Sequence, residues 1–366
     1  MLYYILYPLA KKYILFNLFR YITFRLAMAA TTSFLVSVFL CSPLIKYLKK
    51  RHWVSRIRED VPQRHQGKKG TPTMGGLVII AGILAGTILW AKIGNPYIIL
   101  SLVSVVLAGA MGFIDDYLKD VKHKPKGLLA RYKLYGQFIL AFAISIMIYL
   151  YPLKTPSGLD LRTITEVPFL KNLYINMGIG YILFTMLVIV GASNAVNLSD
   201  GLDGLAAGLV GTLAATFTVV AYVSGRQDFT AYLNIIYLPG SGELSIFCAS
   251  MAGAILGFLW YNSYPAEIFM GDTGALSMGA ALGVIAVILK KEFMLLIAGF
   301  VLVAEALSVI LQVIHFKRTG GKRIFRMAPI HHHFELMGWA EPKIVVRFWI
   351  LGIIFAVLGL VSFKVR

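Results

Sequence analysis

Long apolar runs separated by short polar segments dominate this chain. A run of about 17 to 25 apolar residues is long enough to cross a bilayer as a helix. The runs predict ten transmembrane segments, at residues 22–44, 74–92, 98–114, 132–150, 174–192, 204–223, 243–261, 275–289, 293–314 and 344–363. They lack the alternation of lipid-facing barrel strands, and backbone amides in hydrocarbon need internal partners, so we expect every segment to be helical.

The composition agrees with this pattern. The chain is 58% hydrophobic and 14% charged, with a mean hydropathy of +0.75, which is too apolar for one soluble core. No internal repeat, low-complexity tract or long polar linker divides it. We therefore predict an all-α, polytopic integral membrane protein in which residues 1–366 form a single transmembrane domain. Residues 1–21, apolar but interrupted by Lys and Arg, are expected to form an amphipathic periplasmic lead-in.

Ten spans divide the connecting loops between two faces. The loops at residues 45–73, 115–131, 193–203, 262–274 and 315–343 share one face, which carries about twice as many Lys and Arg residues as the other. The positive-inside rule makes this face cytoplasmic. All seven histidines lie on it, together with five aspartates at span ends, so we predict an active site at the cytoplasmic membrane surface.

The net charge of the chain indicates which binding partners to expect. A net charge of +18 could indicate nucleic-acid binding in a soluble protein. In this membrane protein the expected partners are anionic lipid headgroups and phosphorylated substrates, and we do not expect nucleic-acid binding.

Cys41 and Cys248 lie inside predicted spans without any Cys-x-x-Cys spacing. Neither a disulfide framework nor a structural zinc site is expected.

The first cytoplasmic loop is basic and ends in a glycine-rich turn, Gly70 to Gly76. Such a turn can present backbone amides at a helix start, where phosphate binds well. Most of the cations in this loop are typical of membrane topology alone. Lys68, beside the turn, is the best candidate for a ligand contact.

Paired carboxylates end span three. Asp115 and Asp116 are followed one turn later by Lys119. Adjacent residues diverge by about 100° on a helix, so one carboxylate could hold a metal or a lysine while the other acts as base or nucleophile. The alternative is a pair of solvated helix-end charges. Lys133, at the start of span four, is a candidate phosphate ligand or an interface cation that snorkels to the headgroups.

A polar ridge is predicted between spans five and six. Four side chains recur at intervals of three residues: Asn194, Asn197, Asp200 and Asp203. A helix start needs one capping residue rather than four aligned polar groups, so a functional role is favoured.

A further acidic motif precedes span eight. Asp272 lies between two glycines, with Phe269 and Asn262 just before it. Small residues let a backbone approach a ligand closely, and Phe269 offers an aromatic face. The alternative is that Asp272 only caps span eight.

The last cytoplasmic loop and span nine carry further polar groups. Glu305, Ser308 and Gln312 follow one face of an otherwise apolar helix, and intramembrane polar residues usually face a site or a bundle interior. Three consecutive histidines, His331, His332 and His333, cannot all point one way. Zinc binding lacks the usual ligand spacing, so contact with phosphate or another polar ligand is favoured.

Together these groups fit phosphoryl transfer. Carboxylates that converge on one site repel one another unless cations intervene, and Mg²⁺ with lysines is the usual solution where phosphate is handled. A metal, lysines and a carboxylate are the parts that such a reaction needs. A membrane site with a basic cytoplasmic face predicts one lipid substrate and one soluble anionic substrate, such as a nucleotide diphosphate.

Five motifs carry a resemblance to a known family: GTPTMGG (70–76), GFIDDYLK (112–119), NAVNLSDGLDGLA (194–206), FMGDTGALSMG (269–279) and RIFRMAPIHHHFEL (323–336). Through them the chain resembles the phospho-N-acetylmuramoyl-pentapeptide transferases, essentially end to end. The resemblance implies Mg²⁺-dependent transfer from UDP-N-acetylmuramoyl-pentapeptide to undecaprenyl phosphate in the bacterial cytoplasmic (inner) membrane, which yields lipid I and UMP for peptidoglycan synthesis. It also implies a homodimer. Ser199, where the family commonly has Thr, keeps the hydroxyl.

The resemblance also implies residue roles. The catalytic set would be Asp115, Asp116, Lys119, Lys133, Asn197 and Asp200, and Asp272 would bind Mg²⁺. The substrate-binding set would include Asn194. It would also include Lys68, Gly201, Leu202, Asp203, Asn262 and Phe269 near the nucleotide, and Gln312, His331, His332 and His333 near the sugar and peptide. Two mechanisms stay open: one displacement with Asp115 or Asp116 as base, or two steps through a phospho-aspartate.

Two other functions are alternatives to this one. A sister transferase would move N-acetylglucosamine phosphate to a polyprenyl carrier, but the histidine loop argues against it. An ion-coupled transporter usually places its acids near the bilayer midplane in broken helices, often in repeated halves. Here the acids lie at span ends on one face, so transport is disfavoured.

Overall fold

A computed structural model describes residues 1–53, 70–124, 127–151, 158, 160–170 and 173–363. The helices are α1 Leu2–Leu6, α2 Ile22–Lys50, α3 Gly76–Trp90, α4 Pro96–Asp116, α5 Ala130–Leu150, α6 Gly180–Ser199, α7 Leu205–Ser224, α8 Gln227–Leu233, α9 Leu244–Asn262, α10 Gly271–Ile288, α11 Glu292–Ala298, α12 Phe300–Arg318, α13 Ile330–Leu336 and α14 Glu341–Val361. Short 3₁₀ turns span Tyr7–Lys11, Ile14–Arg20 and Ser241–Glu243, and a π turn, Tyr117–Val121, extends α4.

These helices confirm the predicted fold class. Within the described ranges, nine helices are long and apolar enough to cross a membrane, and α3 is apolar but has only 15 residues. At 1.5 Å per residue, α3 is about 22 Å long, shorter than the hydrocarbon core. The protein is therefore a multi-pass membrane protein with an almost wholly helical fold.

Two predicted spans differ from the observed helices. The span at 174–192 begins too early, because Tyr174–Asn176 form strand β2, which pairs antiparallel with strand β1, Ile164–Glu166. Hydropathy cannot separate a short apolar strand from the first turn of a helix. The span at 293–314 is divided at Gly299 into α11 and α12.

Helix α10 lies at the centre of the bundle and is buried along nearly its whole length. It packs on α4, α6 and α3. Small residues allow the close approaches: a Cβ at Gly112 of α4 would lie 2.2 Å from the carbonyl oxygen of Asp272, and one at Gly279 would lie 2.5 Å from that of Ala192. Such glycine contacts are typical of helix packing in membranes. The contact at Gly112 holds the start of α10 against the end of α4, and the contact at Gly279 holds α10 against α6.

A buried ion pair joins the first turn of α2 to the 3₁₀ turn just before α9. The two terminal guanidinium nitrogens of Arg25 donate to Glu243, at 2.8 and 2.6 Å, and the backbone amide of Lys92 donates to the same carboxylate at 2.9 Å. Arg25 is 1% exposed and Glu243 is 6% exposed. A pair so well matched in geometry tolerates burial, whereas one partner alone would be an uncompensated charge.

Replacing Arg25 with Met is expected to destabilise the protein by about 3–5 kcal/mol, because Glu243 is left buried and unpaired. The double variant Arg25→Met, Glu243→Met should recover much of that loss, since neither charge remains. Thermal unfolding of the detergent-solubilised protein measures both. A single variant as stable as the wild type would contradict this role for the pair.

Candidate active site

Two lysines bridge two aspartates where α4, α5 and α10 meet. Lys119 donates to Asp115 and to Asp272, both at 2.7 Å, and Lys133 donates to the same carboxylates at 3.1 and 2.8 Å. The backbone amide of Leu128 donates to the other oxygen of Asp115 at 2.7 Å. The Asp115 side chain is 2% exposed and that of Asp272 is 13% exposed, whereas Lys119 is 29% exposed. The lysines therefore hold two carboxylates together and still face solvent in part.

Asp116 has a different environment from its neighbour. Its carboxylate accepts the backbone amides of Asp272 and Thr273 at 3.0 and 2.9 Å, and the Thr273 hydroxyl at 2.6 Å. These amides are the free donors of the first turn of α10, where a carboxylate is stabilised. Gly271 precedes them at φ +71°, and a Cβ there would lie 2.7 Å from Asp116. Asp116 thus orients the start of α10, and with it Asp272.

The glycine-rich turn pairs with the segment before Asp272. The amides of Gly75 and Gly76 donate to the carbonyls of Phe269 and Met270, both at 2.9 Å, and the amide of Phe269 donates to Pro72 at 2.9 Å. The bonds join two motifs that are about 200 residues apart in the chain. The turn therefore lies beside the carboxylates, while Lys68 falls outside the described residues.

Asp200, where α6 ends, is drawn into the same acidic cluster. Burial, and then the neighbouring carboxylates of Asp272 and Asp116, raise the pKa of Asp200 to about 7, although the Gly271 backbone amide donates to it. Burial is the larger cause of this shift, and repulsion from the two neighbouring carboxylates adds to it, so a cation beside Asp200 would favour its charged form. The cluster is electrostatically suited to a further cation.

A second group of side chains fixes the turn that follows Asp200. The Asp203 carboxylate accepts the amide of Ala266 at 3.0 Å, and its own amide donates to Glu341 at 2.8 Å. Asn262 accepts the amide of Gly204 at 3.1 Å and donates to Ile268 at 2.9 Å. Residues 201–204, which we call the nucleotide turn after the role that the sequence resemblance implies for them, are therefore held against the loop before α10 and the start of α14.

The three histidines have three different partners. His331 is fully buried and its Nδ1 lies 3.0 Å from Glu305 on α12. His332 contacts Glu335 at 2.6 Å, and Nδ1 of His333 accepts the amide of Arg326 at 3.1 Å. The expectation that they cannot share one direction is confirmed.

Gln312 also supports this loop. Its carbonyl oxygen accepts the amides of Ile324 and Phe325, both at 3.0 Å, and its amide donates back to Phe325 at 3.0 Å. These hydrogen bonds hold residues 324–325, in the loop that follows α12, against the last turns of that helix. A direct contact of Gln312 with substrate stays a prediction.

The remaining predicted residues lie around these two groups. Asn194 donates to Gln137 at 2.9 Å and to Val190 at 2.8 Å. Asn197 and Phe269 are half-buried, Gly201 is exposed and Leu202 is buried. The ridge from Asn194 to Asp203 continues from the end of α6 into the nucleotide turn, so one helix terminus links the acidic cluster to that turn.

Several supporting residues were not singled out from the sequence. Thr273 donates a hydrogen bond to Asp116, and Glu341 accepts one from the nucleotide turn. Gln137 accepts a hydrogen bond from Asn194. Thr273 could have been found, because it directly follows Asp272 at a helix start, where hydroxyl groups are common. Glu341 and Gln137 gave no such signal, because their partners are more than 50 residues away in the chain.

The donor set fits a hard divalent cation bound partly by substrate. Among the described residues, no three His, Cys, Asp or Glu side chains are arranged to hold a metal by themselves. Mg²⁺ usually takes one or two carboxylates and completes its shell with water and phosphate oxygens. Asp272, with Asp200 and its raised pKa nearby, supplies that kind of incomplete site.

Comparison with known proteins agrees with this arrangement. Residues 98–290 match the model of glycosyl transferase family 4, and residues 68–80 match the phospho-N-acetylmuramoyl-pentapeptide-transferase signature 1. Proteins named phospho-N-acetylmuramoyl-pentapeptide-transferase from Thermodesulfovibrio yellowstonii, Desulfatibacillum aliphaticivorans and Citrifermentans bemidjiense are 52%, 50% and 50% identical, each over 100% of both chains. The sequence resemblance is thereby confirmed, and the chain belongs to the phospho-N-acetylmuramoyl-pentapeptide transferases of glycosyl transferase family 4.

Proposed function

We propose that this protein transfers phospho-N-acetylmuramoyl-pentapeptide from its UDP carrier to undecaprenyl phosphate, which forms lipid I and releases UMP. The observation that carries the proposal is the acidic cluster bridged by Lys119 and Lys133 at one end of the helix bundle. It occurs in a chain that is 52% identical, end to end, to a transferase of that name. A charged site at a membrane end suits a reaction between a lipid phosphate and a soluble diphosphate.

Mg²⁺ would be held by Asp272, with Asp200 close to it. When bound, the ion would neutralise the diphosphate of the donor and the charge that develops on the departing UMP. Asp116 does not need to bind the ion for this, because its three hydrogen bonds already fix the start of α10. Its part is to orient Asp272.

Lys119, Lys133 and Asp115 would receive the lipid phosphate. The two ammonium groups are paired with carboxylates. A phosphate that enters can take over some of those hydrogen bonds and so keep the lysines neutralised. Asp115, which then lies beside the attacking oxygen, is the carboxylate placed to accept its proton. The alternative route through a phospho-aspartate would use the same residue.

The donor nucleotide would bind at the nucleotide turn. Gly201, Leu202 and Asp203 lie there, and Phe269 is half-buried beside the paired glycine-rich turn. We propose that Phe269 stacks on uracil and that Lys68 approaches the diphosphate. The sugar and peptide would then extend toward α12 and the histidine loop, where Gln312, His332 and His333 lie.

The polyprenyl chain has an apolar cavity available in the same region. The cavity measures about 350 Å³ and is lined by α6, α11 and α12, including Val196, Leu295 and Leu302. Val196 lies one turn before Asp200 on α6, so the cavity approaches the acidic cluster at one end. We propose that a lipid whose phosphate contacts Lys133 lays its first isoprene units in this cavity.

We place the site at the cytoplasmic face of the bacterial inner membrane. The loops that build it carry the larger share of Lys and Arg, and the positive-inside rule assigns such loops to the cytoplasm. A soluble UDP-linked donor is consistent with that side. The homodimer that the resemblance implies stays a prediction.

Replacing Asp272 with Asn is expected to lower UMP release at least about a hundredfold, because the metal loses its charged ligand at the diphosphate. In the wild type the same release should require Mg²⁺. Purified protein with both substrates, assayed with and without the ion, gives both results. Asp228→Asn is the matched control: Asp228 is exposed and paired with Arg226 on the opposite face, so full activity is expected. Metal-independent release by the wild type would contradict this assignment.

Donor selectivity separates this activity from that of the sister transferase. Wild-type protein should use UDP-N-acetylmuramoyl-pentapeptide and leave UDP-N-acetylglucosamine essentially unused, because the loop with His331 to His333 extends the site beyond the nucleotide. Parallel assays with the two donors and one polyprenyl phosphate measure the ratio. Preferential use of UDP-N-acetylglucosamine would establish the alternative function instead.

A further inference from the structure

A buried acid and histidine pair lies behind the nucleotide turn. Glu305 of α12 and His331 of α13 are both 0% exposed, and Oε2 of Glu305 lies 3.0 Å from Nδ1 of His331. Their other polar atoms, Oε1 of Glu305 and Nε2 of His331, have no hydrogen-bond partner among the described residues. Buried polar atoms without partners destabilise a fold, so an arrangement that keeps two of them calls for a functional reason.

The histidine ring lies directly against Gly201. A Cβ at that position would lie 2.3 Å from Nε2 and 2.9 Å from Cε1 of His331. Gly201 is not among the residues with a positive φ, so the close approach of the ring, rather than the backbone conformation, is what requires glycine here. The ring is buried while Gly201 itself is exposed, so the ring contacts the turn on the side that faces the protein interior.

The orientation of the ring depends on Glu305. A hydrogen bond to one ring nitrogen fixes both the tautomer and the orientation of an imidazole. A leucine at position 305 could fill similar space without the unfavourable burial of a carboxylate in an apolar helix. The carboxylate is therefore explained by orientation better than by packing.

We propose that Glu305 is a positioning residue: it holds the His331 ring in the one orientation that supports Gly201, and so shapes the nucleotide turn for the uridine part of the donor. The inference rests on the proposed function for the identity of the ligand. It concerns the uridine nucleotide alone and assigns no role in the transfer step.

The test measures the affinity of UMP for detergent-solubilised full-length protein by isothermal titration calorimetry. Glu305→Leu should weaken UMP binding by about tenfold, as expected when a supporting hydrogen bond is lost. Glu305→Gln should stay within about threefold of the wild type, because its amide can still bond Nδ1. In turnover assays, Glu305→Leu should raise KM for the UDP-linked donor by a similar factor and leave KM for polyprenyl phosphate unchanged.

A matched control lies one turn along the same helix. Ser308 is also buried, and its hydroxyl donates to the backbone carbonyl of Glu305 at 2.7 Å. Ser308→Ala should leave UMP affinity unchanged. Gly201→Ala approaches the same contact from the other side, since its added methyl would displace the ring, and should also weaken UMP binding about tenfold. It keeps the proposal testable if Glu305→Leu fails to fold.

The outcomes separate this inference from the proposed function. Wild-type UMP affinity in a folded Glu305→Leu would overturn the inference, as would an equal rise in both of its KM values; if that variant does not fold, wild-type affinity in Gly201→Ala would overturn it. If the wild type binds UMP but does not turn over the muramoyl donor, the proposed function fails while the affinity comparison still decides the role of Glu305. A wild type that binds no UMP would overturn both.

Discussion

The shared ion pairs of Asp115 and Asp272 with Lys119 and Lys133 are the interaction on which the site depends. Asp115 is almost completely buried and Asp272 is mostly buried, and each would repel the other without the lysines between them. Electrostatic interactions at such a membrane edge are stronger than in water, because the surroundings are only partly solvated. The lysines therefore bring three helices, α4, α5 and α10, to a common point, where their ammonium groups can also meet phosphate oxygens.

The rest of the fold positions the residues of this cluster. Helix α10 is buried at the centre, and small residues let α4 and α6 pack closely against it. Asp116 caps its first turn, so the direction of Asp272 is set by the backbone rather than by a flexible loop. The nucleotide turn is joined to the loop before α10 through Asp203 and Asn262. Loops that are far apart in sequence thus form one continuous surface.

Hydropathy predicted most of the fold, because a bilayer imposes both the length and the helical conformation of each span. It did not predict that residues 174–176 form a strand or that Gly299 divides the ninth span, since both depend on tertiary partners. The acidic motifs located the candidate site, and the structure brings Asp115, Asp272 and both lysines into contact. The sequence could not distinguish Asp116, which caps a helix, from its neighbour Asp115, which binds lysine. Nor could it reveal that Glu305 is paired with His331, because that contact joins two separate elements.

The central claim is that this lysine and carboxylate cluster is the centre of phosphate transfer. A structure of the protein with the UDP-linked donor and Mn²⁺ in place of Mg²⁺, in which the anomalous signal locates the ion, tests it most directly. The account predicts the ion on Asp272 at about 2.1 Å, with the donor diphosphate within hydrogen-bonding distance of Lys119 or Lys133. An ion and a diphosphate bound together at any place away from these residues would contradict it.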